Sequence, residues 1–276
     1  GLSVDGGGLT RVFFITGGST FAPVTLCGVR VTGGAAENGG GIRNEGVLLL
    51  EDCLVAENTA TRNGGGIWNR GELTVRNTTV TSNTASAGAG IWSESANMVL
   101  GYETVLQNSV VAANTLTEGG TGNADIGKAD QYGSIYAFYT LSSYSDWSNV
   151  SDADVANYAY DDSLPLFADA ANSEYALVEG SQAIDLGLND YLTVDTDLAG
   201  NARVINGVVD LGAYEYLYNA DPGDILTQAK VVAFTDDSYV IREKIGNGLY
   251  GDKDVDFYAV DVTDEDLTRI FSFTVT

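Results

Sequence analysis

Hydrophobic and polar residues alternate in short runs over the first half of the chain, and the runs return at a fixed spacing. Leu48 and Leu50 make one apolar alternation, Cys53 and Val55 a second; Leu73, Val75 and Val80 repeat the phrase, as do Leu106 and Val111. Alternation with a period of two predicts short half-buried strands. Between the two runs a polar residue, Asp52, Asn77 or Asn108, breaks the period. Asp and Asn tolerate left-handed backbone geometry and bond their own main chain, so a sharp bend is predicted at each. Glycine blocks separate the phrases: Gly39-Gly40-Gly41-Ile42-Arg43-Asn44-Glu45-Gly46, Gly64-Gly65-Gly66-Ile67-Trp68-Asn69-Arg70-Gly71 and a degraded Gly88-Ala89-Gly90-Ile91-Trp92-Ser93. Ile42, Ile67 and Ile91 recur about every 25 residues, which is the signature of a repeat array.

Short strands and tight turns at this period predict an all-β fold, a right-handed parallel β-helix. Each coil pairs with the next at about 4.8 Å, and equivalent residues stack. The predicted rows are Leu26, Leu50, Val75, Leu106; Val31, Val55, Val80, Val111; and Gly34, Asn58, Asn83, Asn114. The Asn row is expected to be structural, its amides bonded to one another and to turn carbonyls, rather than catalytic. Helical repeats of similar length are excluded, because no 3.6 period occurs and glycine interrupts every unit.

The β-helix is expected over residues 1–217: regular coils to about 130, an irregular Tyr-rich insertion over 131–163, and closing coils over 164–217. In the insertion, Tyr132, Tyr136, Tyr139, Tyr144, Trp147, Tyr158 and Tyr160 either pack against the coil or offer a sugar-stacking platform; packing is the expected role. After Asp221-Pro222-Gly223-Asp224 the texture changes. Alternation at Val255, Phe257 and Ala259, and again at Ile270, Phe271, Phe273 and Val275, predicts antiparallel strands of a small partial β-sandwich over 218–276. The chain opens within a repeat phrase and stops within a strand pattern, so it reads as a piece of something longer.

Net charge is −25 with no histidine, across 276 residues. So acidic a surface disfavours nucleic acid, anionic membranes and acidic polysaccharides unless cations bridge the contact. No run of about 20 apolar residues is present, so no membrane insertion is expected. Cys27 aligns with Glu51, facing out, and Cys53 with Val29, facing in; diverging Cβ vectors argue against a disulfide.

Several ordered motifs resemble one known group. The Gly-Gly-Gly-Ile-x-Asn-x-Gly coils are followed by Asn123-Ala124-Asp125-Ile126-Gly127 and Ala183-Ile184-Asp185-Leu186-Gly187. Then come Thr196-Asp197-Leu198-Ala199-Gly200-Asn201-Ala202-Arg203 and Asp210-Leu211-Gly212-Ala213-Tyr214-Glu215-Tyr216. Together they resemble bacterial secreted β-helix proteins of pectate-lyase-like fold, of the choice-of-anchor kind, akin to polymorphic outer-membrane protein passengers. The C-terminal stretch, with Ile245-Gly246-Asn247-Gly248 and Asp254-Val255-Asp256-Phe257-Tyr258, is similar to the pre-peptidase C-terminal β-sandwich. The resemblance implies an extracellular or bacterial cell-surface location. It also implies that the segment around Arg203 closes the solenoid, with a buried Arg–carboxylate pair rather than a catalytic trio of Arg203, Asp197 and Asp210.

Polysaccharide-cleaving chemistry on such a fold has recognisable requirements. A polygalacturonase-type site needs paired carboxylates, a Gly-His-Gly and an Arg-x-Lys on successive coils. This chain has no histidine, its Asp161-Asp162 and Asp236-Asp237 pairs lie outside the regular coils, and no Arg-x-Lys follows them. A pectate-lyase-type site needs carboxylates around Ca²⁺ and a basic residue to abstract a proton, and no basic residue of the coils aligns with an acidic cluster. Nucleophilic triads that need histidine are excluded. Calcium is the candidate ligand: Asp252, Asp254 and Asp256 offer alternate carboxylates beside a Gly-rich turn, with Asp195 and Asp197 a second pair. In a strand, the same alternation also makes a solvated acidic face. Asn77-Thr78-Thr79 and Asn149-Val150-Ser151 match the glycosylation pattern, and Asn77, in a bend row, is expected to match by accident.

The resulting expectation is a non-catalytic extracellular structural or adhesive protein. It would be a stalk or a building block of a filament or coat, with itself or other surface proteins as partners and head-to-tail strand pairing as the assembly route. The alternatives are a glycan-binding adhesin module and a calcium-dependent polysaccharide lyase or glycosidase.

Overall fold

The structure is a computed structural model that describes residues 2–94, 103–129, 134–147, 156–218, 230–232 and 258–260. The chain divides into two compact units, Gly1–Tyr216 and Leu217–Thr276. Among the described residues the fold is all-β, built on parallel sheets; the helical turns are the short 3₁₀ pieces Ala170–Asn172 and Asn189–Tyr191.

One coil shows the plan. Val47–Glu51 runs to the bend at Asp52, Leu54–Ala56 follows, then Thr59–Asn63, then Ile67–Asn69. The next coil lays Glu72–Arg76, Thr79–Thr81, Thr84–Ala85 and Ile91–Ser93 on those four strands, each pairing parallel. In the following coil the first two strands run on as one, Glu103–Val111, across the bend at Asn108. That fusion joins two strand columns into a ten-stranded sheet, beside a five-stranded and a four-stranded sheet. The register stacks Leu26, Leu50, Val75 and Leu106, and likewise Val31, Val55, Val80 and Val111, as their alternation requires. These rows, with Ile42, Ile67, Ile91 and Ile126, form the buried interior.

Each coil turns on left-handed corners in stacked rows. The first corner holds Asp52 (φ 48°), Asn77 (45°) and Asn108 (47°), and the second holds Gly33, Glu57, Ser82 and Ala113 with φ of 61°, 60°, 54° and 57°. Ala at such a φ is strained by roughly 1–2 kcal/mol. Ala113→Gly is therefore expected to stabilise the protein by about 1 kcal/mol, the strain relief exceeding the entropy cost of glycine, measured by chemical denaturation. The glycine blocks answer to space as well. A Cβ on Gly66 would lie 2.7 Å from the Gly90 carbonyl oxygen and 2.9 Å from Asn83 Nδ2. Gly66→Ala forces backbone apart between coils and is expected to cost about 2–3 kcal/mol, read as a lower thermal midpoint.

Three expectations are corrected. The described residues of the Tyr-rich segment include regular strands: Ser134–Ser142 pairs along Glu103–Val111, and Asn157–Ala159 pairs on it in turn, both parallel. Its repeat is disguised because Tyr139, at φ 55°, occupies the bend position held by Asp or Asn in earlier coils. Residues 164–217 do not add strands to the parallel columns. Their strands, Phe167–Asp169 and Glu174–Leu177, form an antiparallel pair, and the segment crosses the outer face of the second strand column as a strap. In the second unit Lys230–Val232 pairs parallel with Tyr258–Val260, against the antiparallel strands expected there.

Candidate functional site

The asparagines of one recurring position are spent inside the coil. Asn58 Nδ2 donates to Asn83 Oδ1 at 3.0 Å, Asn83 Nδ2 to Asn114 Oδ1 at 3.0 Å, and Asn114 Nδ2 to Asp125 Oδ1 at 3.0 Å. Each Oδ1 also accepts the backbone N–H of the preceding row member, from Gly34 N to Asn58 through Asn114 N to Asp125. The second amide hydrogen of each Asn goes to turn carbonyls, such as Val55 and Thr81 for Asn83. The row ends on Asp125, a group that only accepts; its other oxygen takes the Ser143 N–H and hydroxyl. A line of donors pointing one way needs an acceptor at its end, and a carboxylate supplies it with charge assistance.

A second line was not read from the sequence, although its residues sit in the quoted glycine blocks. Asn44 Nδ2 donates to Asn69 Oδ1 at 2.8 Å, and Asn69 Nδ2 to Thr104 Oγ1 at 3.0 Å, which also meets Ser93 Oγ. A third row sits just after the bend: Thr78 Oγ1 accepts the Cys53 N–H and Ser109 Oγ the Thr78 N–H. Cys53 Sγ reaches the carbonyls of Leu26 and Glu51, each at 3.2 Å, as the hydroxyls of this row reach theirs. Burial pushes the Cys53 thiol up to about 11, and both cysteines are free, Cys27 exposed and Cys53 buried.

Among the described residues, a dense cluster of ionisable groups lies where the strap meets the bend row. Arg203 is 1% exposed. Its Nη1 donates to Glu215 Oε1 at 3.0 Å, and its Nη2 to the carbonyls of Asn77 and Gly212. Its Nε lies 3.0 Å from Asp52 Oδ1 without hydrogen-bond geometry, so that contact is between charges. A buried Arg–carboxylate pair is thus present, but its partners are Asp52 and Glu215, not Asp197 or Asp210. Asp210 instead accepts the N–H groups of Asp185 and Tyr216. Asp197 braces a turn, accepting from Ala199, Asn201 and Glu215.

Four carboxylates, Asp52, Asp197, Asp210 and Glu215, are thus buried in this cluster with one guanidinium, which contacts Asp52 and Glu215. Burial, against the pull of Arg203, pushes Asp52 up to about 7 and Asp210 up to about 6. Burial and then the Asp210 charge push Glu215 up to about 9. Around the cluster the strap is pinned to the coil. Asn108 exchanges two side-chain hydrogen bonds with the Leu188 backbone, Gly212 N–H reaches the Asn108 carbonyl, and Ala213 N–H reaches Thr79 Oγ1. Gly212 (φ 93°) has no room for a side chain, since a Cβ would lie 2.4 Å from Thr79 Oγ1.

Asp252, Asp254 and Asp256 lie outside the described residues, as do Asp236, Asp237 and Asn149. Asp195 and Asp197 are not brought together as a ligand pair, Asp195 being exposed and Asp197 buried in its turn. Among the described residues, no group of three or more His, Cys, Asp or Glu side chains is placed to hold a metal ion. Of the aromatics, Tyr144 and Trp147 meet edge to face, 4.9 Å apart, within the interior cluster. Tyr139, Tyr158 and Tyr160 pack beneath the strap, while Tyr136 is half-buried in its strand. On the outer face of another sheet, Arg43 stacks over Phe14 and Trp68, 5.4 and 4.6 Å from the ring centres. Trp68 is 5% exposed and so covered, whereas Phe14 at the end of the row is 53% exposed. Asn77 and Thr78 are fully buried, so the Asn77 glycosylation pattern is not accessible in the folded chain. No helix among the described residues is long and apolar enough to cross a membrane.

The strap's landing face was missed, although a signal for it exists. Leu54-Val55-Ala56 and Val110-Val111-Ala112 are apolar at every position, the pattern of strands covered on both faces. Leu54 and Ala56 pack with Tyr175, Leu198 and Ala213 of the strap, and Val110, Ala112 and Leu141 with Leu166, Leu177, Ala183 and Leu211. Comparison of the chain with protein-family models, with curated proteins and with solved structures gave no match.

Proposed function

We propose that this chain is a non-catalytic structural or adhesive segment of an extracellular, bacterial surface protein. Its coils form a right-handed parallel β-helix that serves as a stalk or as a building block of a filament or coat. One observation carries this reading: the asparagines of one repeated row are bonded to one another across coils, from Gly34 to Ser143, and none of that row is left for a ligand. The resemblance of the glycine-block coils and the Asp-x-Gly-Ala-Tyr-Glu-Tyr segment to secreted surface proteins supports the location. Calcium, through Asp252, Asp254 and Asp256, belongs to this proposal as a ligand of the second unit. Filament assembly by strand pairing belongs to it as well.

The test combines imaging with an activity screen. Purified protein viewed by electron microscopy in calcium and then in EDTA is expected to form assemblies that loosen in EDTA. Incubation with a panel of neutral and acidic polysaccharides is expected to release no oligosaccharide. Release of unsaturated products would overturn the reading in favour of a lyase. Retention on a glycan array that Tyr136→Ala abolishes without changing thermal stability would replace it with a glycan-binding module.

A further inference from the structure

We propose that the strap over residues 164–216 is a releasable cover, latched by the Arg203 cluster and opened as pH rises, which uncovers an apolar face on the coil. The argument begins with what lies beneath it. Leu54, Ala56, Val110, Ala112 and Leu141 point outward from the parallel sheet and are buried only because the strap lies on them. The inner core of the coil is a separate cluster, made of the rows that face inward. The strap can therefore leave without dismantling the coil, whose strands pair with one another and not with it.

The latch is unbalanced in charge. Asp52 comes from the bend of the coil and Asp197, Asp210, Glu215 and Arg203 from the strap, all nine-tenths buried or more. Asp185 faces Asp210 from the same strap, while Glu51 faces Asp52 at the rim, 3.4 Å from Arg76. One guanidinium cannot balance this many carboxylates away from water, so the closed state keeps protons that the open state would release. Open, Asp52, Asp210 and Glu215 return to ordinary carboxylate values near 4, to order of magnitude. Closed, they hold protons up to about 6 at Asp210, about 7 at Asp52 and about 9 at Glu215. The stability these groups lend the closed strap is fully present below about pH 4. It is lost as pH climbs from there through the closed-state values, because opening then releases protons.

Hydrogen exchange followed by mass spectrometry, corrected for the intrinsic rate at each pH, reads the opening of strap and coil peptides separately. Between the open-state value near 4 and the highest folded value of about 9 the opening constant of peptides in 181–216 is expected to rise, by roughly tenfold per pH unit for each proton released, most steeply below about 6. Coil peptides covering 42–92 should stay protected throughout, and an apolar dye should bind as the strap opens. Glu215→Gln keeps an acceptor for Arg203 but cannot ionise, so its slope is expected to be lower by about one proton. Glu174→Gln, on the exposed side of the strap, is expected to keep the native slope. Strap protection that does not change with pH would overturn the proposal. So would a slope in Glu215→Gln equal to the native one, or coil and strap peptides that lose protection together.

Discussion

Asn83→Asp is expected to destabilise the coil by more than 4 kcal/mol at neutral pH, and by more than Asn83→Ala. Asn83 gives its amide hydrogens to Val55 O, Thr81 O and Asn114 Oδ1, while its own oxygen takes two donors from Asn58. Alanine orphans the buried Asn58 N–H and leaves a small void, together about 2–4 kcal/mol. Aspartate keeps the acceptor but sets a buried negative charge against three acceptors, so its folded pKa must rise. Its penalty therefore shrinks as pH falls toward the unfolded value near 4. Chemical denaturation at neutral and acid pH checks the order and the direction. Asp125→Asn is the converse case. It places an amide where Asn114 and Ser143 both donate, and is expected to cost about 1–3 kcal/mol.

Arg203→Ala is expected to free the strap while leaving the coil folded. Removing the one cation from a buried group of carboxylates costs about 3–5 kcal/mol, and that loss falls on the strap, whose other ties are a few hydrogen bonds and a shared apolar face. The expected result is two thermal transitions in place of one, the earlier assigned to the strap by limited proteolysis within 181–216. Lysine in place of arginine should not restore the native melt. Arg203 reaches Glu215 and the Asn77 and Gly212 carbonyls with separate N–H groups and keeps its charge beside Asp52, which a single ammonium on a flexible stem cannot match.

Much of the coil was legible in the sequence because its constraints are local. The first left-handed corner is marked by Asp or Asn, although the second, at Glu57, Ser82 and Ala113, is not, and alternation at Leu48, Leu50, Cys53 and Val55 assigns faces directly. Legibility failed where one residue type stood in for another. Tyr139 at a left-handed bend hid the coil that begins at Ser134, and Asp125 closes a line of asparagines after an 11-residue step rather than a full period. It failed again for contacts distant in sequence. The Asp-x-Gly-Ala-Tyr-Glu-Tyr segment was read as a closing motif, but Arg203 finds Asn77 across 126 residues and Ala213 finds Thr79 across 134. No periodicity encodes such pairings, although the doubly apolar strands at Leu54 and Val110 marked where a cover had to land.

The central claim is that the repeated asparagines bind coil to coil. Side-chain amide exchange measured by nuclear magnetic resonance tests it most directly. The account predicts that the NH₂ protons of Asn58, Asn83 and Asn114, with those of Asn44 and Asn69, exchange orders of magnitude more slowly than those of the exposed Asn172. Exchange of the Asn83 amide at the rate of a solvated side chain would contradict it, and would reopen that row as a site for a ligand.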